Sequence, residues 1–373
     1  MRFCKSGCAL LAILIVTGCG GGISLPPAQT DAATVEQQAH SFIETMKPRR
    51  PGKPIVVVLA VNEGTELTDF LLPHAVLQRS GVVDVHAVAV QRGRVHLYPA
   101  LDVEVNEDLA SFDQANPAGA DYVIVPAMSN ENHPAATAWL KQQAEKGARV
   151  IGVCVGALVV ANAGLLDGRR FVTHWYSRER LLEQHPTAVY VPHQRFLVDG
   201  DVATTTGITA SVPMLISLVE AIGGRGRAQL LAVELGVESW SPEHDSSKFG
   251  LNAERRWNYI LNKVAFWQHE QWSVDVKEGM DDIALAFAAD AWSRTGRVSV
   301  DASAPGPVKL GSGMMLVAQP TEQQTPRVPL DPSLKSVQQL DRTLCDIAER
   351  FGDARQDRVR MELEYPHVPP CGS

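Results

Sequence analysis

The chain has 373 residues, of which 45% are hydrophobic, and its formal net charge is -8. This length predicts two domains or one enlarged domain, with enough apolar residues for a full core. The acidic balance argues against nucleic acid as a partner, because proteins that bind it present basic surfaces to phosphate.

The amino terminus has the pattern of a processing signal. Arg2 and Lys5 precede a short apolar run over residues 9–17, and the sequence Val-Thr-Gly-Cys follows at 16–19. A membrane-spanning helix needs roughly 18 apolar residues, so this run is too short to be one.

This segment resembles a bacterial lipoprotein signal with its lipobox. The resemblance implies that residues 1–18 are a signal peptide and that Cys19 carries the lipid. Gly20, rather than an aspartate, follows the lipidated cysteine, which favours the periplasmic side of the outer membrane over the inner membrane. A lipid-anchored, extracytoplasmic protein is therefore expected.

Residues 19–53 are predicted to form a tether and a linker. Within them, residues 31–46 have the spacing of an amphipathic helix, with Thr34 and Gln37 placed as a capping box. The folded core is expected to begin at residue 54.

The core domain is predicted over residues 54–236. Buried, β-branched strands alternate with helices, which predicts an α/β fold with a parallel sheet between two helical layers. The predicted strands are 55–61, 85–90, 121–126 and 150–153, a hairpin is predicted at 196–198 and 202–205, and the predicted helices are 66–80, 135–145, 156–163 and 209–222.

Cys154 falls where the fourth strand passes into a helix of small residues. Gly152 and Gly156 lie on either side of it. At such a corner the side chain reaches the carboxyl edge of the sheet, where α/β folds bind ligands, and the free N–H groups of the helix start favour a thiolate. The pattern predicts a nucleophile elbow in which cysteine replaces serine. The alternative is a buried, inert cysteine.

Several separated motifs, taken together, resemble the ThiJ/PfpI family, also called class I glutamine amidotransferase-like. The similarity is greatest to the branch that contains isonitrile hydratase and the sensor domains of AraC-type regulators. It implies a flavodoxin-like three-layer sandwich over roughly residues 54–236. The matching motifs are Val153-Cys154 with Gly156, residues 163–170, Thr173-His174-Trp175, residues 69–74, residues 198–200 and residues 207–210.

The resemblance implies roles for three side chains. Cys154 matches the family nucleophile, and Asp69 matches the acid that hydrogen-bonds the cysteine sulfur and moves a proton. A protonated Asp69 with a raised pKa is expected. The alternative for Asp69 is an acid that only satisfies a helix start. His174 matches a histidine downstream of the cysteine, and a purely structural histidine is its alternative.

Two departures from the family pattern affect the expected chemistry. Val155 stands where protease-like members have histidine, so a Cys-His peptidase is not expected, although its backbone N–H can face an oxyanion. Ala127 and Met128 replace a Gly-Gly pair after the third strand, which should narrow the pocket or redirect an oxyanion donor.

Residues 237–373 are predicted to form an α+β extension packed on the core. Residues 251–272 have helical spacing with an aromatic stripe, which is typical of core packing. Residues 218–236 and 347–365 share an order of residues, which indicates either a degenerate partial repeat or an insertion that splits the last helices. Glu243, His244 and Asp245 are residue types that bind metals, but adjacent side chains seldom converge on one ion, so no metal is expected.

Cys345 and Cys371 are expected either to pair in an oxidising compartment or to remain two free thiols. Two classes of function stay open. One is a cysteine-dependent enzyme that acts on a small electrophile, such as a hydratase, a hydrolase or a glyoxalase-like enzyme, without a cofactor. The other is a non-catalytic module that binds a ligand or dimerises. A homodimer is compatible with either class.

Overall fold

The computed structural model describes residues 25–250 and 270–371. The processing signal, Cys19 and the aromatic segment at 251–269 lie outside the described residues. Within the described ranges, no helix is both long and apolar enough to cross a bilayer.

The elements follow the predicted alternation over the core. The strands are β1 (Ile55–Ala60), β2 (Thr65–Glu66), β3 (Asp84–Ala89), β4 (Gly93–Tyr98), β5 (Asp102–Val105), β6 (Tyr122–Val125), β7 (Arg149–Gly152), β8 (Arg170–Phe171), β9 (Val189–Tyr190), β10 (Phe196–Asp199), β11 (Val202–Thr205), β12 (Glu270–Asp275), β13 (Val298–Ser303), β14 (Val308–Lys309) and β15 (Met315–Leu316). The α-helices are α1 (Ala32–Thr45), α2 (Leu67–Ser80), α3 (Leu109–Ala115), α4 (Pro134–Glu145), α5 (Gly156–Asn162), α6 (Arg178–Gln184), α7 (Ser211–Gly223), α8 (Arg225–Leu235), α9 (Asp282–Arg294), α10 (Gln338–Phe351) and α11 (Asp353–Leu363).

The central sheet has six strands in the order β10-β11-β7-β6-β1-β3. The pairs among β11, β7, β6, β1 and β3 are parallel, and β10 is an antiparallel edge strand. Along β1, Val56 and Val58 pack on one side while Val57 and Leu59 pack on the other. A strand that buries both faces is uniformly apolar, which explains why the sequence predicts it well. The core is a flavodoxin-like α/β fold.

Helices cover both faces of this sheet. The α2 and α7 helices lie on one face together with α1, and the side chains of α3, α4, α5 and α6 form the apolar cluster on the other. The predicted capping box of α1 is wrong. Asp31 caps the helix instead and accepts a hydrogen bond from the Thr34 N–H, so Thr34 lies inside the first turn.

A second sheet and the extension complete the fold. The order of this five-stranded sheet is β14-β15-β5-β4-β2, so a hairpin of the core and a hairpin of the extension share it. In the extension, β12 and β13 pair in parallel across α9. The α9 helix joins the same apolar cluster as α2 and α7, so the extension covers that helical layer. Trp272, predicted to lie on a helix, lies on β12 instead.

The two cysteines of the extension form a disulfide. Cys345 lies on α10 and is bonded to Cys371, 26 positions later. Of the alternatives left open by the sequence, the bridged one is present. Cys154 is the free cysteine of the described part of the chain.

Candidate active site

Cys154 sits at the corner between β7 and α5 in a strained backbone conformation. Its φ is 56°, in the left-handed region that residues with a side chain seldom occupy. The Cys154 N–H donates to Thr205 Oγ1 at 3.2 Å, and Thr173 Oγ1 donates to the Cys154 carbonyl at 2.9 Å. A Cβ on Gly156 would lie 2.0 Å from the Val125 carbonyl oxygen. Contacts with Thr173, Thr205 and the Val125 carbonyl therefore hold the corner that the sequence predicts.

A cavity of about 350 Å³ opens beside this corner. Cys154 itself is 4% exposed, so the sulfur side of the corner is reached through this cavity. The wall combines aromatic and charged side chains, some from the core and some from the extension. It is lined by Glu66, Tyr98, Ala127, Met128, Glu131, Cys154, Val155, His174, Trp175, Tyr176, Arg180, Ile208, Arg294 and Glu362.

Two buried carboxyl groups at the start of α2 lie beside Cys154. Glu66 caps the helix: one of its oxygens accepts from the Asp69 N–H at 2.6 Å and from Thr68 Oγ1 at 2.8 Å. Asp69 Oδ2 accepts from the Ala127 N–H at 3.1 Å. Asp69 Oδ1 is buried and has no hydrogen-bond partner among the described residues. The expected hydrogen bond between Asp69 and the sulfur is therefore not formed, because the carboxyl group is turned to the loop after β6.

Burial sets the protonation of this group of acids. It raises the pKa of Asp69 to about 8 and, together with the charge of Asp69, that of Glu66 to about 7. The pKa of the Cys154 thiol is also raised well above its usual value, first by burial and then by Asp69 and Glu66. Burial and the two acids thus act against the thiolate that the helix start is expected to favour. The short α5 helix is outweighed by burial and by two acids.

A cation reaches the site from the extension. Arg294, at the end of α9, lies with Nη2 2.6 Å from Glu66 Oε1 and with Nε 2.6 Å from Asp290 Oδ2. A third carboxylate, Glu362, lies 3.8 Å from its Nη1. The side chain of Arg294 is only 17% exposed. Its charge therefore acts through a medium that screens it little.

His174 is held away from proton transfer by its own contacts. Its Nδ1 accepts from the Tyr176 N–H at 3.2 Å, which leaves Nε2 to donate to the Glu362 carbonyl at 3.0 Å. Burial lowers its pKa to about 3. A neutral ring with both nitrogens occupied links the core to α11, which favours the structural alternative for this histidine.

The two backbone N–H groups that could face an oxyanion, at Ala127 and Val155, differ in their hydrogen bonds. The Ala127 N–H is already bound to Asp69, so it is not free for a substrate. The Val155 N–H donates to no backbone acceptor in the described part of the chain. Met128 and Ala127 both line the cavity.

Sequence reasoning missed several cavity residues, among them Glu66, Tyr98 and Arg294. Glu66 was visible only as the first residue of a predicted helix, although an acid at a helix start signals a cap. Tyr98 lies on β4, in a hairpin that was not predicted. Arg294 comes from an extension that no motif could place. In the described ranges, no group of three metal-ligating side chains could hold an ion.

Residues 54–221 match the family model described as DJ-1/PfpI family. The match spans β1 to α7 and includes Asp69, Cys154 and His174. The chain contains a DJ-1/PfpI family domain. This bears out the resemblance to the ThiJ/PfpI family at the level of the domain.

Curated relatives match shorter stretches. The HTH-type transcriptional regulator CdhR of Pseudomonas aeruginosa is 30% identical over 115 residues, which cover 31% of this chain and 34% of the regulator. Isonitrile hydratase of Pseudomonas putida is 34% identical over 120 residues, which cover 32% of this chain and 49% of the hydratase. The chain thus spans about a third to a half of the length of these relatives.

Solved structures of similar proteins cover about half of the chain. A DJ-1 superfamily protein from Salmonella typhimurium has a TM-score of 0.44 at 22% identity, and covers 49% of this chain and 98% of its own. A ThiJ/PfpI family protein from Pseudomonas syringae has a TM-score of 0.48 at 18% identity, and covers 57% of this chain and 87% of its own.

Proposed function

We propose that this chain is a cysteine-dependent enzyme that adds the Cys154 thiol to a small electrophilic carbon, as a hydratase, a hydrolase or a glyoxalase-like enzyme would. One observation carries the proposal. Cys154 is held in a strained left-handed conformation at the edge of an open cavity, and such strain persists where the surrounding structure enforces it for a function.

The two acids beside Cys154 suit the proton transfers of such an addition. In the proposed step Sγ forms a bond to the electrophilic carbon and the thiol proton passes to the carboxylate of Glu66. Glu66, which lines the cavity, then donates that proton to the neighbouring atom of the substrate, while Asp69 stays in its acid form at neutral pH because burial raises its pKa to about 8. The Val155 N–H is available to stabilise developing negative charge. The balance is the addition of S–H across a multiple bond. The oxygen of a water molecule then bonds to the same carbon as the C–S bond breaks, and a proton of that water returns to sulfur as the product leaves.

Turnover measured in cysteine variants tests this proposal. Cys154→Ser is expected to abolish turnover of a small aliphatic isonitrile or a 2-oxoaldehyde, because the nucleophile is lost. The matched control is the double variant Cys345→Ser, Cys371→Ser, which removes two cysteines far from the cavity and should leave turnover measurable. Full turnover in Cys154→Ser would refute the proposal.

A non-catalytic ligand-binding module is the second candidate. It is favoured by the raised pKa of the Cys154 thiol, by the Ala127 N–H that Asp69 already occupies, and by relatives named as transcriptional regulators. This alternative predicts that a ligand raises the melting temperature equally in the parent chain and in Cys154→Ser, with no turnover in either. A ligand effect that disappears in Cys154→Ser would count against it.

We also propose that Cys19 carries a lipid anchor and that the mature chain faces the periplasm from the outer membrane. The pattern of residues 1–19 supports this, and so does the Cys345–Cys371 disulfide, because such bonds persist in oxidising compartments. Labelled palmitate should enter the parent chain and the control Cys8→Ser, but not Cys19→Ser. Label retained in Cys19→Ser would contradict the anchor. Small molecules, and not nucleic acids, are the proposed partners of the cavity.

A further inference from the structure

The extension repeats the first part of the core domain element by element. In the core, β1, α2 and β3 form a parallel strand–helix–strand unit, and β12, α9 and β13 form the same unit in the extension. A hairpin follows in each case, β4–β5 in the core and β14–β15 in the extension. Each series ends in two helices joined by a single glycine, α7–α8 and α10–α11. Such a shared order is typical of an internal repeat.

The starts of α2 and α9 correspond residue by residue, at a separation of 215 positions (281 minus 66). Glu66 caps α2 and accepts from the N–H of Asp69. Asp281 caps α9 and accepts from the N–H of Ala284, at the same spacing. The second copy therefore keeps the capping acid and has alanine where the core has Asp69.

The ends of the two helices correspond at the same separation. Ser80 donates its hydroxyl to the Leu77 carbonyl, and Thr295 donates its hydroxyl to the Trp292 carbonyl. A left-handed glycine follows each of them. These glycines are Gly81 at φ 68° and Gly296 at φ 63°.

The later helix pairs correspond at a shorter separation of 128 positions (352 minus 224). Gly224 joins α7 to α8 with φ 81° and ψ 162°, and Gly352 joins α10 to α11 with φ 84° and ψ 161°. Gly236 and Glu364 then end the second helices in the left-handed region. The separation falls by 87 positions (215 minus 128), so the extension lacks the segment that corresponds to β6–β11 and with it any counterpart of Cys154.

The two copies meet through reciprocal contacts. Arg79 Nη2 lies 2.6 Å from Asp281 Oδ1, and the corresponding Arg294 Nη2 lies 2.6 Å from Glu66 Oε1. The corresponding hairpins also meet, because β5 pairs with β15 in antiparallel register. A contact in which corresponding residues exchange partners is the isologous contact of a two-fold dimer.

We propose that residues 270–371 are a truncated second copy of the core domain that occupies the surface through which two core domains would pair. The chain is then a monomer with one site. Arg294, supplied by this second copy, is a positioning residue that sets the charge around Cys154. The first part of this proposal, that the second copy covers the pairing surface, does not depend on the proposed function. The second part, the role of Arg294, rests on the proposed function because it concerns the Cys154 site.

The position of Arg294 explains why its charge matters. It pairs with Glu66, which would otherwise be a buried carboxylate without a cation, and that state is costly. Its positive charge also favours the Cys154 thiolate against the neighbouring acids. The charged or titratable groups around Cys154 are Glu66, Asp69, Tyr98, Glu131, His174, Tyr176 and Arg180 of the core, and Asp290, Arg294, Glu362 and Glu364 of the extension.

The oligomeric state tests the first part of the proposal. The full chain with Cys19→Ser, which removes the proposed lipid site, is examined by sedimentation equilibrium at micromolar concentrations. The mass of one chain is expected, because the pairing surface is already covered. A stable mass of two chains would overturn this part.

The pseudo-symmetric pair of arginines provides a matched test of the second part. Arg294→Met and Arg79→Met each remove one arginine of the reciprocal contact, and both should lower the melting temperature. Only Arg294→Met should change the pH profile of Cys154 alkylation by iodoacetamide. We expect about a ten-fold slower reaction near neutral pH, which corresponds to one pKa unit, and less than about a two-fold change for Arg79→Met.

Arg294→Lys keeps the charge and should restore part of the alkylation rate even if Arg294→Met folds poorly. Equal effects of the two methionine variants on the pH profile, or no rescue by lysine, would overturn the positioning role. Because alkylation needs no substrate, this result is independent of turnover. A chain that turns over nothing but shows the expected profiles would refute the proposed function alone.

Discussion

The two ends of the α2–α9 pair carry the same reciprocal contact and behave differently. At one end Arg294 pairs with Glu66, whose side chain is 3% exposed, and burial raises the pKa of Glu66 to about 7. At the other end Arg79 pairs with Asp281, whose side chain is 34% exposed. Burial by itself would raise the pKa of Asp281 too. The charge of Arg79 and a hydrogen bond from Ser336 outweigh burial, so the pKa of Asp281 is lowered.

This difference shows how one repeated contact can be an ordinary ion pair at one end and lie beside the candidate site at the other. The buried end adds Asp69 and Cys154, and burial raises the pKa of Glu66 to about 7 and that of Asp69 to about 8. The exposed end has Ala284 in place of Asp69 and stays an ordinary ion pair. Burial, and not the identity of the paired residues, decides which end can move protons.

The largest stability effect is expected from the disulfide, which only the extension has. The sheet made by the extension alone has two strands, whereas the central sheet of the core has six, so less sheet stabilises the extension. Removing both cysteines with Cys345→Ser and Cys371→Ser opens a loop of 26 positions and should cost about 3 kcal/mol of unfolding free energy. Urea unfolding measures it. Cys154→Ser, which removes a thiol but no bridge, is the control. An unfolding free energy that is unchanged in the double variant would mean that the extension does not depend on its bridge.

A close approach between the copies gives the next effect. A Cβ on Gly207, at the entry to α7, would lie 2.5 Å from the Cβ of Glu364. Glu364 also accepts hydrogen bonds from the N–H groups of Gly207 and Trp175. Gly207→Ala should therefore push the end of α11 away and cost about 2 kcal/mol. Gly226→Ala, on α8, is the control, since nothing lies within 4 Å of its Cβ; it should be neutral or slightly stabilising.

Much of the core could be predicted from the sequence, because its signals are local. The strands are continuous β-branched runs, and the Cys154 corner is set by adjacent glycines. The cation of the site could not be predicted, since Arg294 lies 228 positions from Glu66 and only the packing of α9 against α2 joins them. The β4–β5 hairpin that carries Tyr98 was missed because its strands are short and partly polar.

The repeat was visible from the sequence only in its second part. Residues 218–236 and 347–365 share glycines and apolar residues, and the structure gives both stretches two helices joined at a glycine. In the first part the copies share capping acids, closing hydroxyls and the Arg79–Arg294 correspondence. These features are single residues that recur at a fixed separation. They indicate a repeat only once the structure shows that α2 and α9 start and end at these residues.

The pH dependence of stability should separate the two ends of the helix pair. Asp69 and Asp290 have pKa values raised to about 8, and Glu66 and Glu364 to about 7. Between about pH 7 and pH 8.5 the unfolded chain has released these protons while the folded chain still holds part of them. Stability therefore falls as pH rises, by about 1.4 kcal/mol per pH unit for each extra proton that the folded state holds.

The buried histidines do not hide this slope. Their folded pKa values are lowered to about 3 or 4, so their contribution changes mainly below about pH 6.5. Asp69→Asn should flatten the fall in unfolding free energy measured by urea titration at several pH values. Asp281→Asn should not, because its lowered pKa leaves it ionised in both states. An unchanged slope in Asp69→Asn would mean that Asp69 is ionised in the folded protein.

The smallest effects come from neutralising the two capping acids in turn. Asp281→Asn breaks a partly exposed ion pair and should cost only about 0.5 kcal/mol, with no change in the alkylation rate of Cys154. Glu66→Gln removes a charge that raises the pKa of the thiol, so alkylation at neutral pH should become faster. If both variants accelerate alkylation equally, the two ends are coupled through the helices and burial alone does not distinguish them. A difference between them supports local control of the thiol by its own buried cluster.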